Sequence, residues 1–226
     1  GIAHAAATIL VFGDSISASY GLPRDTGWVD LLRARLVREH ADYTVVNASV
    51  TGETTVGGKP RLAATLKQHQ PRIVILELGG NDGLRGTRVE TIRANLAAMI
   101  EECRKHGSRV LLIGMRVPPN YGADYEKKFH LMFGELAKKQ RVPLVPFLFE
   151  GFAAERGMFQ PDGIHPTEAA QEKMLANVWL HLRPLLAGLA GERTARDAGW
   201  IAKEPDGLAH AEAELAQGRL ILYSAS

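Results

Sequence analysis

A single cysteine, Cys103, stands in 226 residues. An internal disulfide is therefore impossible, and zinc sites built from cysteine clusters are excluded. Excess charge of one sign is also missing. The chain has 27 Lys and Arg against 25 Asp and Glu, a formal net charge of +2, which gives no electrostatic argument for nucleic acid or an anionic membrane surface as partner. No apolar run approaches the roughly 20 residues of a membrane span; the longest, such as Ile73–Leu76, are strand-sized. Internal repeats and low-complexity stretches are absent. What is present is 46% hydrophobic and 23% charged, which excludes disorder, collagen and coiled coil for most of the chain. The length suits one sizeable domain, or one domain with an appendage.

Short apolar runs alternate with helical patterns. Thr8–Phe12, Tyr43–Asn47, Arg72–Leu78, Arg109–Met115 and Val142–Val145 read as five strands. Between them, Trp28–His40 places Trp28, Leu31, Leu32 and Leu36 on one face. Lys59–Gln70 reads as a second helix. Val89–His106 carries a stripe of Val89, Ile92, Leu96, Met99, Ile100 and Cys103 ended by Gly107, and Asp124–Gln140 follows. Thr167–Leu186 closes the pattern, with Pro184 expected to kink or end it. Strands of about five residues separated by helices mean βαβ units. The expected fold is α/β, a three-layer α/β/α arrangement around a mainly parallel five-stranded sheet, over residues 6–188. Residues 189–226 form an extension with two more acidic than basic residues, a helix expected at Leu208–Gln217 and a strand-like Leu220–Tyr223. An appendage packed on the domain, an oligomerising or partner-binding arm and a tail foreign to the domain stay open for it.

In parallel sheets the ligand crevice lies beyond the carboxyl ends of the strands, and there the chemistry-bearing residues collect. Gly13-Asp14-Ser15-Ile16-Ser17 follows the first strand, Asn47 to Thr54 the second, and Gly79-Gly80-Asn81-Asp82-Gly83 the third; Asp162-Gly163-Ile164-His165-Pro166 precedes the last helix. A serine hydrolase needs a hydroxyl beside a base, a carboxylate that fixes the base's tautomer, and donors aimed at the developing oxyanion. Ser15 can supply the hydroxyl and its own N–H. Asp162 and His165, three apart around a glycine, can set a carboxylate against Nδ1–H and leave Nε2 for Ser15. Gly52 lets a substrate oxygen approach its N–H, and Asn81 brings a side-chain amide. Taken singly, the Gly-Asp-Ser and Asn81 pieces are better read as turn chemistry, Asp162 with His165 as a surface turn or helix N-terminus, and Gly52 says nothing; the combination at successive strand ends is what carries weight. Asp14 is expected to hold the Ser15 turn, Asp82 to brace the glycine-rich loop, and Cys103 to be a buried small hydrophobe. Glu77, a carboxylate inside an apolar strand, needs a partner.

The stretches LVFGDSISASYGL, VVNASVTGETT, LELGGNDGLRG, PPNYG, VPLVPF and QPDGIHPTEAAQ resemble the SGNH, or GDSL-type, serine hydrolases, close to the bacterial multifunctional thioesterase/lysophospholipase/arylesterase group. The resemblance spans roughly Thr8 to Leu186 and implies the flavodoxin-like hydrolase variant of the fold. It implies a catalytic triad of Ser15, Asp162 and His165, with an oxyanion hole of Ser15, Gly52 and Asn81. Ile16 replaces the Leu of the GDSL name, and Glu53 stands where relatives often carry Asp. The absence of a G-x-S-x-G elbow counts against the α/β-hydrolase fold.

The implied activity is hydrolysis of small-molecule esters and thioesters, from aryl and short or medium acyl esters to acyl-CoA and lysophospholipids, without cofactor or metal. Gly83, Leu84, Met115, Tyr121, Tyr125 and Phe159 are candidate substrate contacts, with ordinary packing an equal alternative for the aromatics and Met115. Two rival readings are a metal-dependent hydrolase built on Asp14, Asp82, Asp162 and His165, and a non-catalytic binding module on the same fold. The Ala3-His4-Ala5-Ala6 start resembles a signal cleavage site. With the resemblance it points to a periplasmic or secreted protein, the alternatives being an Ala-rich start without that meaning and a cytoplasmic location.

Overall fold

The computed structural model describes residues 6–40 and 42–197. The chain divides into two compact units, Gly1–Leu182 and Arg183–Ser226. In the first unit the order is β1 (Ala7–Gly13), α1 (Trp28–Glu39), β2 (Tyr43–Asn47), α2 (Thr55–His69), β3 (Ile73–Glu77), α3 (Gly80–Leu84), α4 (Val89–Lys105), β4 (Arg109–Ile113), α5 (Ala123–Gln140) and β5 (Leu144–Val145), and α6 (Gln171–Asp197) begins in it. Within the second unit the described residues continue α6. The helix and strand expected at Leu208–Gln217 and Leu220–Tyr223 lie outside the described residues.

All five strands are parallel, in the order β2-β1-β3-β4-β5. The central strands are buried on both faces: Ile9 to Phe12 of β1 and every residue of β3 are out of solvent. Their near-continuous Ile, Val and Leu content follows from that burial. The edge strand β2 instead alternates, with Tyr43 and Val45 inward and Thr44 outward. α2 packs on α4 and α4 on α5, which covers one face. On the other face α1 meets the start of α6, where the Trp28 N–H donates to Gln171 Oε1 at 3.0 Å and the Arg35 guanidinium lies 4.0 Å from the Trp179 ring centre. The α/β/α layering is thus as expected. Connections run outward in opposite directions from β1 and β3, so the crevice of such a sheet opens beyond the carboxyl ends of these two strands.

Four local expectations change. On α1 the buried face is Trp28, Val29, Leu32 and Leu36, with Val29 in place of Leu31. The second helix begins at Thr55 rather than Lys59, because Thr54 caps it by accepting the Gly57 N–H at 3.1 Å. A Cβ on Gly58 would lie 2.8 Å from Leu78 and 3.2 Å from Phe12. The glycine is there because the helix runs tight against the sheet. Residues Gly80–Leu84 form a short helix where an open glycine-rich loop is expected. Finally, of the two outcomes expected at Pro184, ending the helix does not occur, since α6 runs through it. Proline brings no N–H to the carbonyl four residues earlier, that of Leu180, a residue on the helix's exposed side.

Candidate active site

The segment after β1 is a run of turns rather than the start of a helix. Asp14 holds it as expected: Oδ1 accepts the Ile16 N–H at 2.9 Å, and Oδ2 accepts the Asn81 amide at 3.1 Å. Ser15, between them, is buried apart from its outward edge. The loop after β2 is drawn alongside by Val50 N–H donating to the Gly13 carbonyl (3.0 Å) and the Asn47 amide donating to the Ser17 carbonyl (2.8 Å). Arg61 of α2 braces it from behind, donating to Glu53 Oε2 (2.7 Å) and the Ala48 carbonyl (2.9 Å) with its guanidinium over the Phe12 ring. Asn81 follows β3 and donates to the Glu53 carbonyl at 2.9 Å. Three strand ends are thereby tied into one patch.

The fourth piece arrives from residue 162 onward. His165 Nδ1 faces Asp162 Oδ2 at 2.7 Å, and Nε2 faces Ser15 Oγ at 2.9 Å. With the Nδ1 proton on the Asp162 side, Nε2 is an acceptor for the serine hydroxyl. Asp162 also accepts the backbone N–H groups of Ile164 (2.9 Å) and His165 (3.0 Å). Desolvation pushes this carboxylate upward, but those two N–H bonds and the imidazole outweigh it and hold it at about 2. The arrangement gives an ionised acid, an oriented imidazole and a hydroxyl in line.

Donors surround the same point. Among the described residues, neither the Ser15 N–H nor the Gly52 N–H is bonded to a protein acceptor. Gly52 has φ +77° and open space where a Cβ would be, so its N–H is presented by a conformation that favours glycine. Asn81 differs: its two amide hydrogens already serve Asp14 and Glu53.

Behind Ser15 lies a buried acidic pair. Glu77, in register beside Gly13, is fully out of solvent. Its Oε2 accepts the Ser17 hydroxyl at 2.7 Å and the Asp14 N–H at 3.3 Å, while Oε1 has no hydrogen-bond partner among the described residues. Burial first, then the neighbouring Asp14, drives the Glu77 carboxyl well above the usual carboxylate range. Desolvation likewise pushes Asp14 up to about 6, against the Ile16 N–H and His165, with Asp82 and Glu53 adding to the rise. A Cβ on Gly13 would sit 2.5 Å from Glu77 Oε2, so the first glycine of the motif is the space that carboxyl occupies.

The remaining candidates scatter. Asp82 reaches past its own segment to the start of α2, accepting the Thr55 N–H (2.8 Å) and hydroxyl (2.6 Å). Tyr121 donates to the Leu84 carbonyl (2.9 Å) and Tyr125 to the Thr87 carbonyl (2.6 Å), which ties residues 84–87 to residues 121–125. Met115 is buried, and Gly83 is buried beside Val117 and Phe129. Phe159 packs into an aromatic cluster with Phe149 and Phe152. Cys103 is fully buried, where desolvation first and then Glu102 push its thiol up to about 12. One residue escaped the sequence reading: the Tyr20 ring lies 4.5 Å from the His165 ring, tilted by 38°. Its only sequence signal is an aromatic five positions after the serine in a turn-rich segment.

Residues 11–173 match the model of the GDSL-like lipase/acylhydrolase family. A relative named esterase TesA, from Pseudomonas aeruginosa, is 50% identical over 182 residues, 80% of this chain and 90% of its own. Thioesterase 1/protease 1/lysophospholipase L1 of Escherichia coli K12 is 40% identical over 184 residues, 81% of this chain and 87% of its own. Among solved structures, the psychrotrophic esterase EstA from Pseudoalteromonas, inhibited by monoethylphosphonate, superposes with a TM-score of 0.75 at 36% identity. That match covers 80% of this chain and 98% of EstA.

Proposed function

This chain belongs to the GDSL-like lipase/acylhydrolase family and is a carboxylic ester hydrolase, and from that premise we propose that Ser15 is its nucleophile, His165 its general base and Asp162 the acid that orients the base. The observation that carries the reading is the continuous line of Ser15 Oγ, the His165 imidazole and Asp162 at 2.9 and 2.7 Å.

In this mechanism Ser15 Oγ attacks the ester or thioester carbonyl as Nε2 takes its proton, and Asp162 stabilises the imidazolium without itself being protonated. The tetrahedral oxyanion rests on the N–H groups of Ser15 and Gly52. Asn81 joins them by turning one amide hydrogen away from Asp14 or Glu53, so its contribution grows as charge develops on the oxygen. His165 then protonates the departing alcohol or thiol, and water repeats the sequence on the acyl-enzyme.

Exposed apolar side chains at the carboxyl edge of the sheet, Val50, Tyr121 and Ile164, support acyl or aryl groups as the bound portion. The substrate range in this proposal is aryl esters, short and medium acyl esters, acyl thioesters and lysophospholipids. A periplasmic or secreted location, which the family resemblance implies, belongs to the same proposal. Among the described residues no helix is long and apolar enough to cross a membrane.

The test is an acyl-chain series of p-nitrophenyl esters and acyl-CoAs, run beside organophosphate labelling. Ser15→Ala abolishes labelling and lowers turnover by up to about 10⁶-fold. Labelling that persists in the variant would remove Ser15 from its role.

A further inference from the structure

Tyr20 stands between the two ends of the candidate triad. Its N–H donates to the Ser15 carbonyl at 3.1 Å. Its own carbonyl accepts the Gln160 side-chain amide at 2.8 Å, and that amide also donates to the Pro166 carbonyl at 3.2 Å. The Gln160 backbone N–H in turn donates to the His165 carbonyl at 2.8 Å. These four bonds run from the nucleophile's residue to the base's residue without passing through the reacting atoms. The Tyr20 side chain then folds its ring over the imidazole, with centroids 4.5 Å apart.

Apart from Tyr20, the imidazole is held by Asp162 and Ser15 at its two nitrogens. Residues 161–164 of its loop are exposed, and the loop closes on itself through the Phe159–Pro166 bridge, the Gly163 N–H to the Gln160 carbonyl (2.9 Å) and the Thr167 N–H to the Met158 carbonyl (2.8 Å). An aromatic face within about 6 Å of a cation's position attracts that cation electrostatically. Neutral imidazole gains little from such a face, whereas imidazolium gains more. The benefit therefore falls on the transition state, where the imidazole has taken the serine proton.

We propose that Tyr20 is a positioning residue of the reaction, held by Gln160 so that its ring covers His165 and favours the imidazolium formed as Ser15 attacks. The inference rests on the assignment of His165 as base. The tyrosine hydroxyl has no part in it, because the ring face alone does the covering. The ring is half-exposed, so exchanging it leaves the core intact.

The experiment compares Tyr20→Phe, Tyr20→Leu and Gln160→Leu with the natural chain. Each is measured for kcat and KM on p-nitrophenyl acetate and p-nitrophenyl octanoate, for the rate of phosphonylation at Ser15, and for Tm. Tyr20→Leu is expected to lower kcat and the phosphonylation rate by the same factor, roughly three- to tenfold, with KM and Tm held. Tyr20→Phe retains natural rates, and Gln160→Leu falls between the two. Equal losses in Phe and Leu, a loss that grows from acetate to octanoate, or no loss in Leu would each overturn the proposal. The first assigns the effect to the hydroxyl, the second to direct contact with the acyl chain. Continued labelling of Ser15→Ala would instead overturn the assignment of the nucleophile, so the two failures are distinguishable.

Discussion

Asp14 and Asp162 are both carboxylates beside the Ser15–His165 pair, yet one is pushed up to about 6 and the other held at about 2. Asp14 belongs to the sheet side of the site. It is buried against Glu77 and its shift comes first from lost solvation. Asp162 belongs to the loop side. Its side chain is 39% exposed, and backbone N–H groups within three residues overcome the desolvation that opposes them. The nucleophile is thus set by the core, and the base by an exposed turn that makes its own hydrogen bonds. Stability and reactivity are divided between the two regions, and the division can be tested.

The sharpest separation is expected from Asp162→Asn. It should cost about 10⁴ in kcat, because the imidazole loses its tautomer and its charge partner, while Tm at neutral pH falls only by the small contribution of this 39% exposed, solvent-screened carboxylate. A Tm loss as large as that of a core substitution would erase the contrast. Next, Asn81→Ala should lower kcat by about 10²–10³. It also leaves the Asp14 and Glu53 oxygens short of a donor, so turnover and Tm should fall together, as suits a residue on the sheet side.

Gly13→Ala addresses the core alone. A methyl group where Glu77 Oε2 now lies should destabilise by about 1–3 kcal/mol, read from urea denaturation. Its effect on turnover should follow only from displacement of the Ser15 turn.

The smallest effect is the pH dependence of stability, and the two acids give it opposite signs. Asp14 binds its proton more tightly in the folded state, so its contribution is complete below the ordinary value of 3.8 and is lost as pH rises through about 6. Glu77 acts in the same direction. Asp162 contributes fully above 3.8 and loses its contribution as pH falls toward about 2. Tm should therefore climb through the lower window and decline through the upper one. Asp162→Asn should flatten the first limb and Asp14→Asn the second; the reverse assignment would mean that the causes of the shifts are misplaced.

Much of this was legible in the sequence, for a physical reason. Parallel central strands are apolar along their whole length, so Ile9 to Phe12 and Ile73 to Leu76 announce themselves. The Asp162–His165 contact is local enough to be read from spacing. What could not be read are contacts fixed by register and helix placement. The Glu77 carboxyl meets Gly13 and Ser17 because β1 and β3 are aligned Gly13 to Glu77, and nothing near Glu77 in the chain says so. Asp82 has the look of a turn residue, yet it bonds Thr55, 27 positions earlier. Gln160 and Tyr20 are 140 apart, and only the folded chain brings the strut between them into being. The tight passage of α2 over the sheet, likewise, makes Gly58 a fitted part.

The Asp162 turn has one more consequence, and it concerns how such an enzyme can change over generations. Acid and base travel together, since every bond Asp162 makes lies within four consecutive positions. Insertions or deletions between Asn81 and Phe159 alter the walls of the binding cleft but cannot separate the pair. The pair has only to be delivered to the same landing place beside Ser15. Selection is thereby free to reshape the intervening loops for new acyl and leaving groups while the proton-transfer unit is inherited whole.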